Sequence, residues 1–251
     1  MKKQRKTVWI TGASSGIGLA FAHAYAQKGY RLILTARREE RLKKIAARLD
    51  VPCRIVAADL SSEAECKKVC EVLKQEQIDI FINNAGYGTC GDFLETDLDK
   101  ELGMIRVNVE AMHILCKEVL RQMEFRGHGT ILNVASSAGL LPGGPYMATY
   151  YATKSYVVSL TKSIHEELRR KKCKVYVCAL CPGPVDTEFF DIAGSNVKPL
   201  KRMVMAKPEN VVEQAIKDAA LGNELSIYGK AMKSAYVAAR FLPHRLLLRF
   251  F

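Results

Sequence analysis

The sequence predicts an α/β fold: one doubly wound, parallel β-sheet with helices on both faces. Short apolar runs alternate along the chain with helical segments of about 10 to 20 residues, which is typical of βαβ units. The runs are apolar throughout, as in Ile78–Ile82, and such strands lie in sheets that are covered on both faces. A glycine-rich turn directly follows the first run, at the end of the strand where sheets of this kind bind ligands.

Seven strands are expected from apolar and β-branched runs that end at glycine, proline or polar residues. They are Thr7–Thr11, Tyr30–Ala36, Arg54–Ala58, Ile78–Asn83, Thr130–Ala135, Lys174–Leu180 and Leu225–Tyr228. The helices expected between them are Ile17–Lys28, Glu39–Leu49, Ser61–Gln75, Asp99–Phe125, Ala148–Lys171 and Pro208–Leu221. Ser61 is expected to cap the third helix.

The composition is that of an ordinary globular protein, with 49% apolar and 25% charged residues in a chain of 251. No linker rich in Pro, Gly or Ser divides it, so residues 1–251 are expected to form a single domain. The eight cysteines are expected to be free thiols in the cytoplasm, and we expect no metal site. Cys178 and Cys181 are three apart on a strand and should point to opposite faces of the sheet.

The net charge of +12 is uneven, since residues 226–251 contain five cations and no acid. No nucleic-acid-binding motif accompanies this charge, so we expect no nucleic-acid partner. No apolar run is long enough to span a bilayer. The basic, apolar tail, about residues 230–251, is expected to cover a partner subunit, to cap a substrate entrance or to lie peripherally on an anionic membrane surface.

The turn after the first strand has the composition of a phosphate-binding loop. It reads Thr11-Gly12-Ala13-Ser14-Ser15-Gly16-Ile17-Gly18. The glycines permit a tight turn and a close approach of the backbone to a pyrophosphate, and the helix that begins near Ile17 directs free N–H groups at it. The pattern predicts a dinucleotide site of the Rossmann type.

The spacing G-x-x-x-G-x-G resembles the opening of the short-chain dehydrogenases/reductases, in the branch whose chains have about this length. The resemblance extends from Lys6 to about Tyr228 and includes five further motifs in the family's order. They are Asn83-Asn84-Ala85-Gly86, Asn108, the serines after the fifth strand, Tyr150-x-x-x-Lys154 and Pro182-Gly183-x-Val185-x-Thr187. It implies an oxidoreductase that interconverts a carbonyl and an alcohol with a nicotinamide cofactor.

The resemblance also implies where the cofactor lies. Asp59, followed by Leu60, should contact the adenine, and the segment from Asn83 through Asn84 and Ala85 to Gly86 should form the floor of the adenosine pocket. Val185 and Thr187, after Pro182 and Gly183, should hold the nicotinamide carboxamide. Asp59 has an alternative role as a cap of the following helix, and Asn83-Asn84 as ordinary turn residues.

The end of the second strand predicts which nicotinamide cofactor is used. It reads Thr35-Ala36-Arg37-Arg38, with no acid before Glu39. NAD-binding chains place an acid here for the ribose 2′-hydroxyl, whereas a guanidinium accommodates the 2′-phosphate of NADP. We therefore expect NADP(H), with Arg37 as the first candidate for the phosphate and Arg38 as the second.

Tyr150 and Lys154 are the expected centre of the chemistry. They are four apart on a predicted helix and therefore share a face. The ammonium and the positive nicotinamide should lower the pKa of Tyr150, so that the phenol exchanges a proton with the substrate oxygen. The resemblance further assigns Lys154 to the nicotinamide ribose and Asn108 to a relay water. Tyr151 is also within reach of Lys154, but the family's register favours Tyr150.

Two serines compete for the role of binding the substrate oxygen. The stretch Asn133–Gly139 resembles the family motif N-V-S-S-x-A-G, which selects Ser136, whereas the family's usual interval to the tyrosine selects Ser137. We predict Ser136, because the sheet fixes a strand end while the following loop can absorb one extra residue.

The segment expected to select the substrate is a lid, about residues 184–208. The lid and the loops near Gly88 and Leu140 predict a hydrophobic carbonyl or alcohol substrate from Phe189, Phe190, Ile192, Leu140, Leu141, Tyr146 and Met147. By resemblance, the two long helices should pair across a two-fold axis in a homodimer or homotetramer. The alternative function is a catalytically idle NADP(H)-binding sensor or regulator, against which the complete Asn, Ser, Tyr and Lys set argues.

Overall fold

The structure is a computed structural model, and it describes residues 5–194, 205–243 and 247. The expected α/β fold is confirmed as a Rossmann-like one, with a seven-stranded parallel sheet in the order β3-β2-β1-β4-β5-β6-β7. The strands are β1 (Thr7–Thr11), β2 (Arg31–Ala36), β3 (Cys53–Ala57), β4 (Ile80–Asn83), β5 (Gly129–Val134), β6 (Val175–Cys181) and β7 (Leu225–Ile227).

Helices flank the sheet on both sides. They are α1 (Gly16–Gln27), α2 (Glu39–Ala46), α3 (Glu63–Lys74), α4 (Leu98–Ile105), α5 (Met112–Arg126), α6 (Ala148–Arg170), α7 (Phe189–Ile192), α8 (Pro208–Ala220) and α9 (Lys230–Ala239). None of the helices in the described ranges is long and apolar enough to cross a membrane.

The parallel register sorts the strand side chains into two buried layers. Trp9, Ile33 and Phe81 align across neighbouring strands and pack against α3, α5 and α6. Their chain neighbours Ile10 and Leu34 face the other way and pack against α1, α2 and α8. Both faces of the sheet are therefore buried under helices, which explains why the strands are apolar throughout.

The two cysteines of β6 obey the same alternation. Cys181 lies in the layer with α3, α5 and α6, and Cys178 lies in the layer with α1, α2 and α8. The predicted opposite orientation is confirmed, and it keeps the two thiols on different sides of the sheet.

The predicted long helix over Asp99–Phe125 is not continuous. It begins one residue earlier as α4, where the Asp97 carboxylate accepts a hydrogen bond from the backbone N–H of Lys100. A π-helical turn over Arg106–Ala111 then separates α4 from α5. Apolar periodicity does not distinguish a π turn from an α turn, so this interruption could not be predicted from the sequence.

The predicted cap of α3 is wrong by one residue. Ser62, rather than Ser61, caps the helix, and its hydroxyl accepts a hydrogen bond from the backbone N–H of Glu65. Ser61 instead donates its hydroxyl and backbone N–H to Asp59.

The second helix was also predicted too long, since α2 ends at Ala46 rather than at Leu49.

The described part of the C-terminal tail packs on the chain's own core. Met232 and Tyr236 of α9 lie against the layer that contains α3, α5 and α6. Met232 also lies beside Gly183, where a Cβ atom would come within 3.1 Å of the Met232 side chain. The helix therefore starts next to the Pro182-Gly183 segment, while Phe241 at its far end is 82% exposed.

Candidate active site

A cavity of about 560 Å³ opens at the carboxyl ends of the strands, where the strand order reverses between β1 and β4. Of the predicted cofactor and catalytic residues, all but Gly18, Asn83 and Asn108 line it. These residues are Gly12, Ser14, Ser15, Gly16, Ile17, Arg37, Arg38, Asp59, Leu60, Asn84, Ala85, Gly86, Ser136, Tyr150, Lys154, Pro182, Gly183, Val185 and Thr187. The volume is in the range of cofactor and substrate sites.

Two glycines let the glycine-rich turn pack closely against its neighbours. Gly12 has a φ of +64°, and a Cβ there would lie 2.7 Å from the Asn84 side-chain nitrogen. A Cβ at Gly18 would collide with the carbonyl oxygen of Gly12, so this glycine packs the helix onto the turn and does not face the cavity. These residues fit a dinucleotide whose pyrophosphate lies at the N-terminus of α1.

The two asparagines at the end of β4, Asn83 and Asn84, have different roles. Asn84 donates its side-chain amide to the carbonyl oxygen of Thr11 over 2.9 Å and lines the cavity. Asn83 faces inward, where its amide donates to Met112 and to the side-chain oxygen of Asn133. The expectation that Asn83 belongs to the adenosine floor is therefore wrong, because it ties β4 to α5 and β5 instead.

The two arginines after β2, Arg37 and Arg38, contact different parts of the site. Nη2 of Arg38 lies 3.2 Å from the Ser14 hydroxyl and 3.3 Å from the Ser15 hydroxyl. Arg37 lies 4.0 Å from the Asp59 carboxylate, and its side chain is 66% exposed. Arg38, the second candidate from the sequence, is thus the arginine that contacts the glycine-rich turn.

Tyr150 and Lys154 are buried side by side on α6. Nζ of Lys154 lies 5.8 Å from the centre of the Tyr150 ring and donates to the carbonyl oxygen of Val134 over 2.9 Å. That hydrogen bond links the helix to the end of β5. A Cβ at Gly86 would lie 3.3 Å from the same Nζ, so the glycine leaves the lysine its space.

Burial governs the ionisation of both groups. It raises the pKa of Tyr150 to about 12, although the nearby Ser136 hydroxyl opposes part of the rise. Burial also lowers the pKa of Lys154 to about 8. The lowered pKa expected for Tyr150 is therefore not produced by the protein's own groups, because loss of hydration outweighs the ammonium 5.8 Å from the ring centre.

The Ser136 hydroxyl is directed to the tyrosine. Ser136 lies two residues after the end of β5, in an extended conformation, and its hydroxyl accepts a hydrogen bond from Ala138 N–H over 3.1 Å. The same hydroxyl is near enough to the Tyr150 phenol to oppose part of the rise in its pKa. Ser137 begins a 3₁₀ turn, and its backbone N–H donates to the carbonyl oxygen of Pro182. Both serines line the cavity, and Ser136 is the one that interacts with the phenol.

Asn108 lies behind the cavity, inside the π turn. Its side-chain oxygen accepts from Tyr87 N–H over 3.1 Å, and its side-chain nitrogen donates to the Tyr87 carbonyl and to Thr153 over 2.8 Å and 3.1 Å. These bonds fasten the π turn to the loop after β4 and to α6. They hold the helix that carries Tyr150 against the helix that carries Asn108.

Phe189, which lies in the segment predicted to be a lid, packs on the Tyr150 ring. Its ring centre lies 5.1 Å from that of Tyr150. A Cβ at Gly88 would come within 2.7 Å of the Phe189 ring and 3.2 Å of the Tyr150 ring, so the contact depends on that glycine. Tyr151 packs edge-on against Tyr150 at 6.4 Å and against Gly144.

Comparison with known proteins agrees with this geometry. The family model for short chain dehydrogenases matches residues 6–197, which is most of the chain. The chain belongs to the short-chain dehydrogenase/reductase family. It is an oxidoreductase of that family, which acts on carbonyl and alcohol groups with a nicotinamide cofactor.

Individual relatives are similar over most of their length. A human very-long-chain 3-oxoacyl-CoA reductase is 32% identical over 87% of this chain and 70% of its own. A short-chain dehydrogenase from Sphingobium yanoikuyae, solved in complex with NADPH, is 32% identical with a TM-score of 0.84, covering 94% of this chain and 93% of its own. A family member from Burkholderia phymatum, solved with NAD, is 25% identical with a TM-score of 0.83, covering 94% and 93%. Both cofactors therefore occur among relatives of this short-chain dehydrogenase/reductase.

Two features of this short-chain dehydrogenase/reductase were missed from the sequence. Thr153 supports Asn108, and Glu188 contacts both Arg38 and Arg41 at the cavity's edge. Glu188 lies 150 residues from Arg38 along the chain, so no local pattern could join them. Thr153 stands inside the Tyr150-x-x-x-Lys154 motif, at a position that the motif leaves free.

Proposed function

We propose that the protein is an NADP(H)-dependent oxidoreductase that interconverts a hydrophobic ketone and its alcohol, with Tyr150 as the acid and base. One observation supports it above the others: the Tyr150 phenol is buried at the cavity wall between Ser136, Lys154 and Phe189. A catalytically idle cofactor sensor has no need for a buried phenol with these neighbours.

The chain's own residues account for the proton. In the reducing direction the phenol donates its proton to the carbonyl oxygen as that oxygen gains negative charge, and the Ser136 hydroxyl donates a hydrogen bond to the same oxygen. The raised pKa of Tyr150, about 12, keeps the phenol protonated at neutral pH, which is the form that donates. When bound, the nicotinamide supplies the hydride in this direction and accepts it in the other.

Lys154 is proposed to hold the nicotinamide ribose and to stabilise tyrosinate in the oxidising direction. Its position 5.8 Å from the ring centre is close enough for this electrostatic effect in a buried site. Asn108 is proposed to complete the proton relay, and its three hydrogen bonds keep the surrounding backbone fixed.

The preference for NADP(H) follows from the charges at the adenosine end. Arg38 offers a guanidinium nitrogen that lies within 3.3 Å of both the Ser14 and the Ser15 hydroxyl. This arrangement suits a phosphate, which takes several charged hydrogen bonds. We place the 2′-phosphate there, with Arg37 outside it next to Asp59.

The substrate end of the cavity is apolar. Phe189, Phe190, Ile192, Met147 and Tyr151 line it, with the lid segment on one side. The human relative is named for its action on very-long-chain 3-oxoacyl-CoA, which supports a carbonyl on a fatty chain as the first substrate to test. Residues 195–204 of the proposed lid lie outside the described residues.

The test is turnover, followed by the loss of NADPH absorbance with aliphatic, 3-oxoacyl and aromatic ketones. Tyr150→Phe removes only the phenolic oxygen and should abolish turnover while NADPH still binds, whereas Tyr151→Phe should retain most activity. If Tyr150→Phe turns over as fast as the unmutated protein while Tyr151→Phe does not, the proposed proton donor is wrong.

A further inference from the structure

The carboxylate of Glu188 lies between two arginines at the phosphate end of the cavity. Oε2 lies 3.0 Å from Nη2 of Arg38, and Oε1 lies 2.7 Å from Nη2 of Arg41. The same nitrogen of Arg38 contacts the hydroxyls of Ser14 and Ser15. Nη2 of Arg38 therefore contacts both the glycine-rich turn and the Glu188 carboxylate.

The fold holds Glu188 in this place. Its neighbour Phe189 donates its backbone N–H to the Thr187 hydroxyl over 3.3 Å and packs its ring on Tyr150. The backbone carbonyl of Glu188 accepts from Ile192 N–H within α7. The carboxylate is therefore carried by a lid segment that is anchored on both sides, at the tyrosine and at the arginines.

A phosphate and this carboxylate cannot both use Arg38 without cost. A 2′-phosphate carries about 1.5 to 2 negative charges at neutral pH, and the carboxylate adds one more within hydrogen-bonding range of the same guanidinium. The two arginines hold the pKa of Glu188 below its usual range, so the group is ionised at neutral pH. Like charges that share one partner repel each other.

We propose that Glu188 is a specificity-determining residue, which competes with the 2′-phosphate of the cofactor for Arg38 and so restrains the affinity for NADP(H). The proposal rests on the NADP(H) site proposed above. Arg41 gives the carboxylate a second partner, so Glu188 can yield Arg38 to a phosphate without being left unpaired. The lid thereby contributes to the choice of cofactor, in addition to covering Tyr150.

The test uses Glu188→Gln in the full chain, with NADPH, NADH and two fragments that reach only the adenosine end: 2′,5′-ADP and ADP. Dissociation constants are measured by calorimetry at low salt. The variant should bind NADPH and 2′,5′-ADP about three- to tenfold more tightly than the unmutated protein, because it removes the repulsion between a partly exposed carboxylate and the 2′-phosphate. Affinity for NADH and ADP should stay within about twofold.

The matched control is Glu213→Gln, which removes the same charge from α8. Glu213 pairs with Lys217 and lies near Lys28 at the opposite end of α1 from the glycine turn. It should leave all four dissociation constants within about twofold. Equal effects of the two variants, or weaker binding of 2′,5′-ADP by Glu188→Gln, would overturn the competition.

The same measurements separate this inference from the proposed cofactor. If the unmutated protein binds 2′,5′-ADP no better than ADP, the NADP(H) site is wrong as proposed. If the unmutated protein prefers 2′,5′-ADP to ADP but Glu188→Gln gains no affinity for the two ligands with a 2′-phosphate, the cofactor site stands and the competition alone is wrong.

Discussion

Removal of the Arg38 guanidinium tests the adenosine end of the site most directly. In Arg38→Leu the alkyl part of the side chain is retained, while the cation that contacts Ser14 and Ser15 is lost. The matched variant is Arg37→Leu, which removes the neighbouring cation beside Asp59. The two variants have the same net charge, so a difference between them reports position rather than total charge.

The expected magnitude follows from the contacts. A hydrogen bond to a charged group contributes about 1.5 to 3 kcal/mol when buried. The Arg38 side chain is 47% exposed and is already bonded to Glu188 over 3.0 Å, so the phosphate gains less than this range. We expect a loss of about 1.4 kcal/mol, or tenfold in the dissociation constant for NADPH. Arg37→Leu should cost about threefold, because that cation is more exposed.

The assay is a titration of intrinsic or NADPH fluorescence, repeated with NADH. Binding of NADH should change by about twofold or less in Arg38→Leu, since the 2′-hydroxyl is neutral. A larger loss of NADPH affinity in Arg37→Leu than in Arg38→Leu would refute the assignment of the phosphate to Arg38 and restore the order expected from the sequence.

Three further predictions concern the serine, acid stability and assembly. In steady-state kinetics with a ketone, Ser136→Ala should lower kcat about 10²- to 10³-fold, and Ser137→Ala should lower it much less. The reverse order would mean that Ser137 donates the hydrogen bond to the substrate oxygen. The Glu76 carboxylate accepts hydrogen bonds from Arg31 and Arg54. The Arg31 hydrogen bond is the chief cause that lowers the pKa of Glu76 from 4.5 to about 2. The contribution of Glu76 to the free energy of unfolding is therefore present above pH 4.5 and is lost as the pH falls toward 2. After allowance for the partly exposed arginines, Glu76→Gln should cost about 1 to 2 kcal/mol at pH 7 and almost nothing at pH 2, as measured by urea unfolding; an equal cost at both pH values contradicts this. Helix α4 exposes three large apolar side chains, Leu98, Leu102 and Ile105, which are expected to lie in a subunit interface. Leu102→Glu should therefore convert a dimer or tetramer into smaller species in analytical ultracentrifugation. A monomeric unmutated protein at micromolar concentration would exclude the assembly.

The sequence was sufficient for features that arise from local chemistry. The alternation of strands and helices and the turn from Gly12 to Gly18 follow from side-chain periodicity and from glycine's access to positive φ. For the same reason, most predicted strands differ from the observed ones only at their ends.

The sequence was insufficient where distant segments decide the structure. The π turn at Asn108 is stabilised by Tyr87 and Thr153, which come from a loop and from another helix. Arg37 and Arg38 are chemically identical, and their different roles depend on the directions of their side chains toward Asp59 and the turn. Tertiary packing sets both features, so neither leaves a periodic signal.

The missing side chain at Gly88 makes this position suitable for enzyme engineering. Phe189 and Tyr150 approach the space where a Cβ would stand, within 2.7 Å and 3.2 Å. A single methyl group there would press on both rings, so Phe189 or Tyr150, the proposed proton donor, would have to move. Gly88→Ala would thus change the packing over Tyr150 by one methyl group, without removing any polar group from the cavity.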